Sequence, residues 1–434
     1  MSINFTPQQI HLALVSISTL AISWMTLYNT TNSIVKYGLE SNIYNYSEKG
    51  YSNSYYESFH HHVILSNNLK PNKKYYYIVG DGLRVWSNEF TFISPDYNKV
   101  NPSFITYGDL GSINGNDTIN YLDSVKESID LFWHGGDISY ADDAFLHKDC
   151  VFKFCYEESW DRFMSYIEPF ASYKPYMVVP GNHDVECHDP SCLFDLDRRN
   201  KLSNFSAYNS RFRMPSSESN GVLNMYYSWN YGPIHFISID TETGFPGAEE
   251  EKRYVLPCGK FGNQLTWLEN DLKEANKTRS QRPWIFVQGH HPMYQGDFVD
   301  IDFQNAMEEL FNKYAVDIYF SGHIHSYERT WPVYKSQVEK TYNNPSATTY
   351  IMIGNAGNDE MDDVDVEKVK ELDISPNYKL YKESDVSGPW TAITDKCCFG
   401  IGKVNIIDKS NLEFQYIRTK TGEIYDKIIL SRIH

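Results

Sequence analysis

The feature of this sequence that most constrains its fold is a short apolar run ending in a small turn, usually built on glycine, that occurs five times. Each run is typical of a buried strand in a mostly parallel sheet, and the runs cover residues 104–107, 131–134, 176–179, 284–287 and 317–320. Each turn then delivers a residue that can bind a metal, namely Asp109, Asp137, Asn182, His290 and His323. Because ligand sites gather at the carboxyl ends of parallel strands, we expect these side chains to converge on one edge of a sheet. Two metal ions are the natural occupants of such a set.

The chain divides into two parts of different character. Its 434 residues exceed one ordinary domain, so two are expected. Residues 6–94 alternate polar and apolar side chains between turns, which predicts a β-sandwich of the fibronectin or immunoglobulin kind. Prolines 95 and 102 mark a linker, so the predicted domains are 1–96 and 97–434. In the second domain strands alternate with amphipathic helices, and period-two strands return at 404–407, 412–417 and 424–430, which predicts an α/β fold.

Charge and hydropathy argue against two classes of partner. The formal net charge is −17, and we see no basic cluster suited to a phosphate backbone, so nucleic acid is not an expected partner. Residues 12–25 are too short and too rich in Ser and Thr to span a bilayer, and they read better as two strands around a turn. We therefore expect no membrane partner and a mature chain whose signal segment, if it had one, is missing.

Sequons and cysteines favour a secreted glycoprotein. Six Asn-x-Ser/Thr triplets begin at Asn4, Asn29, Asn45, Asn116, Asn204 and Asn276. Two cysteine pairs are spaced for local disulfides, Cys150 with Cys155 and Cys187 with Cys192, although buried free thiols are the alternative. The remaining three, Cys258, Cys397 and Cys398, leave the pairing open.

Five motifs in a fixed order carry a family resemblance. The segments are Gly-Asp-Leu-Gly at 108–111, Gly-Asp-Ile-Ser-Tyr at 136–140, Gly-Asn-His-Asp at 181–184, Val-Gln-Gly-His at 287–290 and Gly-His-Ile-His at 322–325. This set resembles the calcineurin-like metallophosphoesterases. Tyr140 and the leading β-sandwich resemble the purple acid phosphatases in particular. The resemblance covers nearly the whole chain, and it implies a β-sandwich followed by a four-layer α/β/β/α metallophosphoesterase domain.

The resemblance also implies a dinuclear centre. One metal would be held by Asp109, Asp137, Tyr140 and His325, and the other by Asp137, Asn182, His290 and His323, with Asp137 as the bridge. A tyrosinate ligand favours Fe(III) at the first position, whereas Fe(II), Zn(II) or Mn(II) would suit the second. His183 is the implied catalytic group outside the metal shells, which holds phosphate or protonates the leaving group.

The expected function follows from this centre. It is an acid phosphatase that hydrolyses small phosphomonoesters by attack of a metal-bound hydroxide, in a secreted or lysosome-like acidic setting. A phosphodiesterase or nucleotide pyrophosphatase with the same centre is one alternative. A non-catalytic metal-binding or adhesion protein is another. The larger members of the family often dimerise, so a homodimer is allowed.

Three further expectations concern residues outside the predicted ligand set. His60, His61 and His62 are expected on an exposed strand of the sandwich. Asp184 is expected to orient His183. Plant relatives carry an additional histidine pair beyond the His290 position, and residues 295–300 contain none, so proton donation to the leaving group rests more on His183.

Overall fold

The first eight strands form the two sheets of a β-sandwich. The computed structural model describes residues 5–65, 69–96, 98–150, 153–248, 260–361 and 387–433. One four-stranded sheet has the order β1-β2-β6-β5 and the other the order β4-β3-β7-β8. The strands are β1 (Gln8–Ser16), β2 (Thr19–Thr26), β3 (Ile34–Gly38), β4 (Tyr46–Lys49), β5 (Tyr51–Tyr55), β6 (Ser58–Leu65), β7 (Lys74–Gly80) and β8 (Phe90–Ile93).

Alternating burial explains why these segments form a sandwich. In β7, Tyr75, Tyr77 and Val79 are buried, whereas Tyr76 and Ile78 on the other face are half-buried. A strand with this period-two pattern buries one face against a second sheet. The predicted β-sandwich is confirmed, while the boundary at residue 96 stays a prediction.

The rest of the chain is α/β. Its strands are β9 (Ser103–Tyr107), β10 (Leu131–Gly135), β11 (Tyr176–Val179), β12 (Tyr227–Tyr231), β13 (Ile234–Ser238), β14 (Trp284–Gln288), β15 (Tyr294–Gln295), β16 (Phe298–Val299), β17 (Ile318–Ser321), β18 (Tyr327–Thr330), β19 (Val333–Tyr334), β20 (Gln337–Val338), β21 (Thr349–Ile353), β22 (Thr391–Asp395), β23 (Gly400–Ile406), β24 (Asn411–Arg418) and β25 (Glu423–Ser431). Its helices are α1 (Asn116–Val125), α2 (Tyr156–Ala171), α3 (Pro190–Phe194), α4 (Leu196–Lys201), α5 (Ser206–Arg211), α6 (Ser216–Ser219), α7 (Gln264–Lys277), α8 (Ile301–Phe303) and α9 (Glu309–Lys313), the last two joined by a π-helical turn (Gln304–Glu308).

Two sheets and two helical layers build this domain. A six-stranded sheet has the order β11-β10-β9-β23-β24-β25, and a seven-stranded sheet has the order β12-β13-β14-β17-β21-β18-β22. The sheets pack face to face, with the Phe104 ring 5.1 Å from the Phe236 ring. Helix α2 covers one outer face, where Phe170 lies 4.9 Å from Phe132. Residues 301–313 cover the other, so the α/β/β/α layering is confirmed.

The strands that precede the metal-binding motifs are parallel within each sheet. Strands β9, β10 and β11 run parallel, and so do β13, β14, β17 and β21. All five apolar runs are strands, within one or two residues of the predicted limits. Within each sheet the carboxyl ends of these strands therefore lie at the same edge, as do the turns that follow them.

The sandwich is docked against the α/β domain. The backbone N–H of Ile10 donates to Glu168 Oε2 on α2 at 2.8 Å. His62 Nε2 lies 3.2 Å from the carbonyl oxygen of Ser210 on α5. His60, His61 and His62 are only 2%, 0% and 2% exposed, so the predicted exposed strand is wrong. Strand β6 is an inner strand between β2 and β5, and the other domain covers the face that would otherwise meet solvent.

Disulfides are present where short spacing predicted them. Cys150 bonds Cys155 and Cys187 bonds Cys192. A third bridge joins the sequence neighbours Cys397 and Cys398. Cys258 lies outside the described residues. Among the helices of the described residues, none is both long and apolar enough to cross a bilayer.

Candidate metal centre

The turns after five strands bring the predicted ligand residues together at one rim. Asp109 and Asp137 follow β9 and β10, and Asn182 begins a 3₁₀ turn (Asn182–Asp184) after β11. His290 and His323 follow β14 and β17 of the other sheet. Two mixed sheets thus contribute side chains to one cluster, which Tyr140 and His325 complete, so the expectation that the ligands lie on the edge of a single sheet is wrong.

One group of side chains surrounds the phenol of Tyr140. Its hydroxyl donates to Asp109 Oδ1 at 3.0 Å and lies 3.4 Å from Asp137 Oδ2. His325 Nε2 lies 3.0 Å from the same hydroxyl and 3.5 Å from Asp109 Oδ1. Two carboxylates, a phenol and an imidazole therefore direct donor atoms at one point.

A second group surrounds the side-chain amide of Asn182. Its Oδ1 lies 3.1 Å from His290 Nε2 and 2.9 Å from His323 Nδ1. His290 Nε2 is also 3.0 Å from Asp137 Oδ2. Asp137 consequently contacts both groups, as a shared carboxylate would.

The backbone at the cluster adopts conformations that L-residues avoid. Asp109, Asp137, Tyr140 and His323 have φ of +61°, +51°, +53° and +69°. Left-handed non-glycine residues cost roughly 1–3 kcal/mol each and concentrate at functional sites. A Cβ on Gly181 would lie only 2.3 Å from Asp137 Oδ1, so a side chain there would displace the carboxylate. The turns are shaped to place these donors, at the expense of local stability.

Burial disfavours the charged forms of Asp109, Tyr140 and His323. It raises the pKa of the Asp109 carboxyl, and the charge of Asp137 adds to the rise. Burial and the two carboxylates raise the pKa of the Tyr140 phenol well above its usual value. Burial lowers the pKa of the His323 imidazole well below its usual value, and the adjacent His291 ring lowers it further. A bound cation would reverse the preference of Asp109 and Tyr140, because it stabilises carboxylate and phenolate, and it would reinforce the neutral imidazole of His323.

The donor set fits metal ions. Carboxylate, phenol, amide and imidazole donors suit iron, zinc and manganese. Within the cluster, Asp137, His290 and His323 offer ligand atoms that all lie within 4.8 Å of one another. The carbonyl of Gly135 lies 2.9 Å from His290 Nδ1, which fixes the tautomer that turns Nε2 toward the cluster.

His183 borders the cluster and is held by a carboxylate. Its Nδ1 lies 2.9 Å from Asp142 Oδ2, and its ring stacks on Tyr140 with centroids 4.3 Å apart. His188 Nδ1 lies 3.2 Å from the same Asp142 oxygen. Burial alone would lower the pKa of His183, but Asp142 and Asp137 outweigh it and raise the pKa well above its usual value.

The orienting carboxylate is not the one expected from the sequence. Asp184 instead accepts hydrogen bonds from the backbone N–H groups of Ile138 at 3.0 Å and Gly181 at 2.9 Å. Its role is to satisfy buried donors at the turn, so the expectation that it orients His183 is wrong. The residue missed is Asp142, and its one signal was a position two residues beyond Tyr140 in the same loop.

Comparisons with known proteins agree with this architecture. The family profile "Calcineurin-like phosphoesterase" matches residues 102–327, "Purple acid Phosphatase, N-terminal domain" matches 7–94, and "Iron/zinc purple acid phosphatase-like protein C" matches 347–427. "Probable purple acid phosphatase 20" of Arabidopsis thaliana is 33% identical over 391 residues, covering 87% of this chain and 79% of its own. "Acid phosphatase type 7" of Danio rerio is 30% identical over 464 residues, covering 98% and 90%.

A solved structure shares the fold. A purple acid phosphatase from yellow lupin (Lupinus luteus) seeds superposes with a TM-score of 0.77 at 22% identity, over 99% of this chain and 75% of its own. The family profiles and relatives of at least 30% identity over most of the chain carry more weight than this likeness of fold. The chain belongs to the purple acid phosphatase family of calcineurin-like phosphoesterases.

Proposed function

We propose that this chain is an acid phosphatase that hydrolyses phosphomonoesters at a dinuclear, iron-containing centre. The observation that carries the proposal is the division of seven buried or half-buried donors into two groups that share Asp137. Phosphate esters are the substrate class that the family's phosphatases share. Because the chain carries a net charge of −17, the anionic substrate must be attracted by bound cations and not by the protein's overall field.

The ligand roles follow the two groups. We assign Asp109, Tyr140 and His325 to one metal, Asn182, His290 and His323 to the other, and Asp137 to both. A hard phenolate favours Fe(III) at the first position, and the second suits Fe(II), Zn(II) or Mn(II). Two such cations supply Lewis-acid chemistry, since they lower the pKa of water and neutralise charge on a phosphoryl group.

The protein's own residues position the substrate and move a proton. Asp142 binds Nδ1 of His183, which leaves Nε2 as the atom that can hold a phosphate oxygen or protonate the leaving oxygen. The Tyr140 ring supports the imidazole from one face and limits its rotation. This arrangement is suited to a group that donates a proton at a defined position.

The setting we infer is secreted or lysosome-like. Disulfides persist in oxidising compartments, and three bridges are present in the described residues. Of the sequon asparagines, Asn29, Asn45, Asn116, Asn204 and Asn276 are all exposed, as glycan attachment requires, while Asn4 lies outside the described residues.

Substrate choice tests the function directly. We expect the metal-loaded protein to hydrolyse p-nitrophenyl phosphate faster than bis(p-nitrophenyl) phosphate at acid pH. The variant His183→Asn should slow an alkyl monoester by about 100-fold, because alkoxide needs a proton to leave. It should slow p-nitrophenyl phosphate much less, because nitrophenolate leaves unaided.

The controls separate the alternatives. His235→Asn, on β13 and paired with Asp271 at 2.8 Å, should keep wild-type rates on all substrates. Faster turnover of the diester would instead favour a phosphodiesterase or nucleotide pyrophosphatase. Zero turnover by a fully metallated sample would favour a non-catalytic metal-binding protein.

A visible absorption band tests the iron and the tyrosinate. We expect the iron-containing protein to absorb visible light through phenolate-to-Fe(III) charge transfer, and the variant Tyr140→Phe to lose that band. The matched control is Tyr107→Phe on β9, whose hydroxyl donates to Tyr176 at 3.1 Å, away from the predicted ligands. Spectra with elemental analysis provide the measurement. A band that survives in Tyr140→Phe would remove Tyr140 from the ligand set.

A further inference from the structure

The bridge between Cys397 and Cys398 joins neighbours in the sequence, in the connection between β22 and β23. A disulfide stabilises a fold mainly by closing a loop in the unfolded chain, and the effect grows with loop length. A bond that spans a single peptide closes almost no loop. Stabilisation of the fold therefore does not explain this disulfide, and we consider its thiol–disulfide chemistry instead.

The pair is more accessible than the other bridges. Cys397 is half-buried, whereas the cysteines of the other two disulfides are all buried. Arg418 Nη2 lies 3.5 Å from Cys397 Sγ. A guanidinium at this distance stabilises a thiolate, the form of cysteine that exchanges with disulfides. Asp395 Oδ1 lies 3.2 Å from the same sulfur, and pairing with Arg418 offsets the charge of that carboxylate.

A metal ion is a poorer occupant of the same place. Asp395, Cys397 and Cys398 offer ligand atoms within 4.8 Å of one another. The Asp395 carboxylate is already paired with Arg418, whose Nε lies 2.8 Å from Oδ2. A divalent cation would be repelled by that guanidinium, so thiol chemistry fits the site better.

Hydrogen bonds connect the pair to the metal centre. The carbonyl oxygen of Cys398 accepts a hydrogen bond from Asn355 Nδ2 at 2.7 Å. Asn355 lies in the loop after β21, and in that loop the N–H of Asn358 donates to the carbonyl of Asp109 at 3.0 Å. The Cys398 peptide and the Asp109 peptide are thus held by opposite ends of one short loop, residues 354–358.

We propose that Cys397–Cys398 is a redox site that exchanges with small-molecule thiols, and that its opening loosens the loop 354–358 beside Asp109. A thiolate attacks the accessible Cys397 Sγ, forms a mixed disulfide and releases Cys398 as a thiolate. A second thiol then attacks the external sulfur of the mixed disulfide and releases Cys397, beside Arg418. The pair gains two electrons and two protons, and two thiols leave as one oxidised disulfide.

A reductant titration with alkylation tests the site itself. In the full-length protein, Cys397 and Cys398 should become alkylated at dithiothreitol concentrations at least about tenfold below those that open Cys150–Cys155 and Cys187–Cys192. Peptide mapping by mass spectrometry assigns each label. Opening at the same or higher concentration than the other bridges, or a peptide that links either residue to Cys258, overturns the proposal.

Hydrogen–deuterium exchange tests the connection to the loop. Mild reduction of the wild-type protein should speed exchange of the 354–358 amides by at least about threefold. In the double variant Cys397→Ser/Cys398→Ser these amides should exchange at the fast rate with or without reductant. Unchanged exchange in the reduced wild type, with alkylation proving that the pair is open, overturns the connection. Neither readout depends on phosphatase activity, so a failure of the proposed function would not be mistaken for a failure here.

Discussion

Asp109→Asn is expected to remove phosphatase activity and, at the same time, to stabilise the metal-free protein. Asp109 is fully buried, and burial together with the Asp137 carboxylate disfavours its charge. An amide avoids that charge, and it can still accept from His323 N–H, now 2.9 Å from Oδ2, while its NH₂ group faces the Tyr140 hydroxyl. We expect the metal-free variant to gain about 1 kcal/mol in free energy of unfolding, because relief of the disfavoured charge outweighs the loss of the 3.5 Å contact with His325.

The metal-loaded protein should respond in the opposite direction. Mutating a partner outside the ligand shell already costs about 10–100-fold in affinity or activity, so loss of a direct ligand should cost more than about 100-fold in kcat/KM. Bound metal stabilises the folded state in proportion to its affinity, so the loaded variant should also melt below the loaded wild type. Thermal melts with and without chelator, combined with elemental analysis, measure both effects.

A second buried carboxylate on the same rim serves as the control. Asp184 accepts two backbone hydrogen bonds, from Ile138 and Gly181. Burial and the Asp137 charge raise the pKa of Asp184 as well, but an Asn has one acceptor oxygen for the two backbone donors. Because its NH₂ group would face an N–H group, Asp184→Asn should lose stability whether or not metal is present. If Asp109→Asn behaved in the same way, with equal destabilisation in both states, Asp109 would be a structural carboxylate and not a metal ligand.

The five strand-end residues could be predicted as candidate ligands because apolar runs locate buried strands and ligand sites lie at the carboxyl ends of parallel strands. Parallel strands of one sheet end at the same edge, which groups Asp109 with Asp137 and, in the other sheet, His290 with His323. The meeting of the two edges could not be predicted, because no local pattern encodes how one sheet packs on another.

The left-handed backbone at Asp109 and Tyr140 could not be predicted, because these residues lie in loops that contact loops of other strands, as where the Asp109 N–H donates to the Gly136 carbonyl. The role of Asp142 was missed for a related reason, since a loop carboxylate has no periodicity that shows which side chain it will meet.

The histidine cluster of the sandwich shows the limit of reasoning from one element. A period-two strand has two faces, and an isolated sandwich would leave one of them in water. Here the outer face of β6 meets the α/β domain, where His62 contacts the Ser210 carbonyl. The opposite face carries His61, stacked on Trp24 with ring centroids 5.0 Å apart. Burial of both faces depends on the docking of a second domain, which no local pattern encodes.

This burial predicts that the protein loses stability as the pH falls. Burial lowers the pKa of His11 and His61 to about 4 and that of His62 to about 3, against 6.5 in an unfolded chain. Below pH 6.5 these histidines bind protons in the unfolded state but not in the folded state. Their contribution to the free energy of unfolding is therefore fully present above pH 6.5 and is lost as the pH falls toward 4. Each histidine should remove about 2 kcal/mol between pH 7 and pH 5, or roughly 6 kcal/mol together.

Single substitutions should separate the contributions of the three histidines, because a side chain that does not titrate removes the pH dependence of one site. In urea unfolding of the metal-free protein at pH 7 and pH 5, His62→Gln should reduce the difference in unfolding free energy by about 2 kcal/mol.

His188 gives a comparison of opposite sign, because the carboxylates of Asp142 and Glu186 outweigh its burial and raise its pKa to about 10. Its contribution is present at low pH and declines above pH 6.5, so His188→Gln should enlarge the loss on acidification. If His62→Gln showed the same difference in unfolding free energy between pH 7 and pH 5 as the wild type, His62 would be charged, or would reach water, in the folded protein. In that case His62 would not destabilise the folded protein in acid. If the histidines are buried and neutral, they set a lower limit to the pH at which the fold is stable.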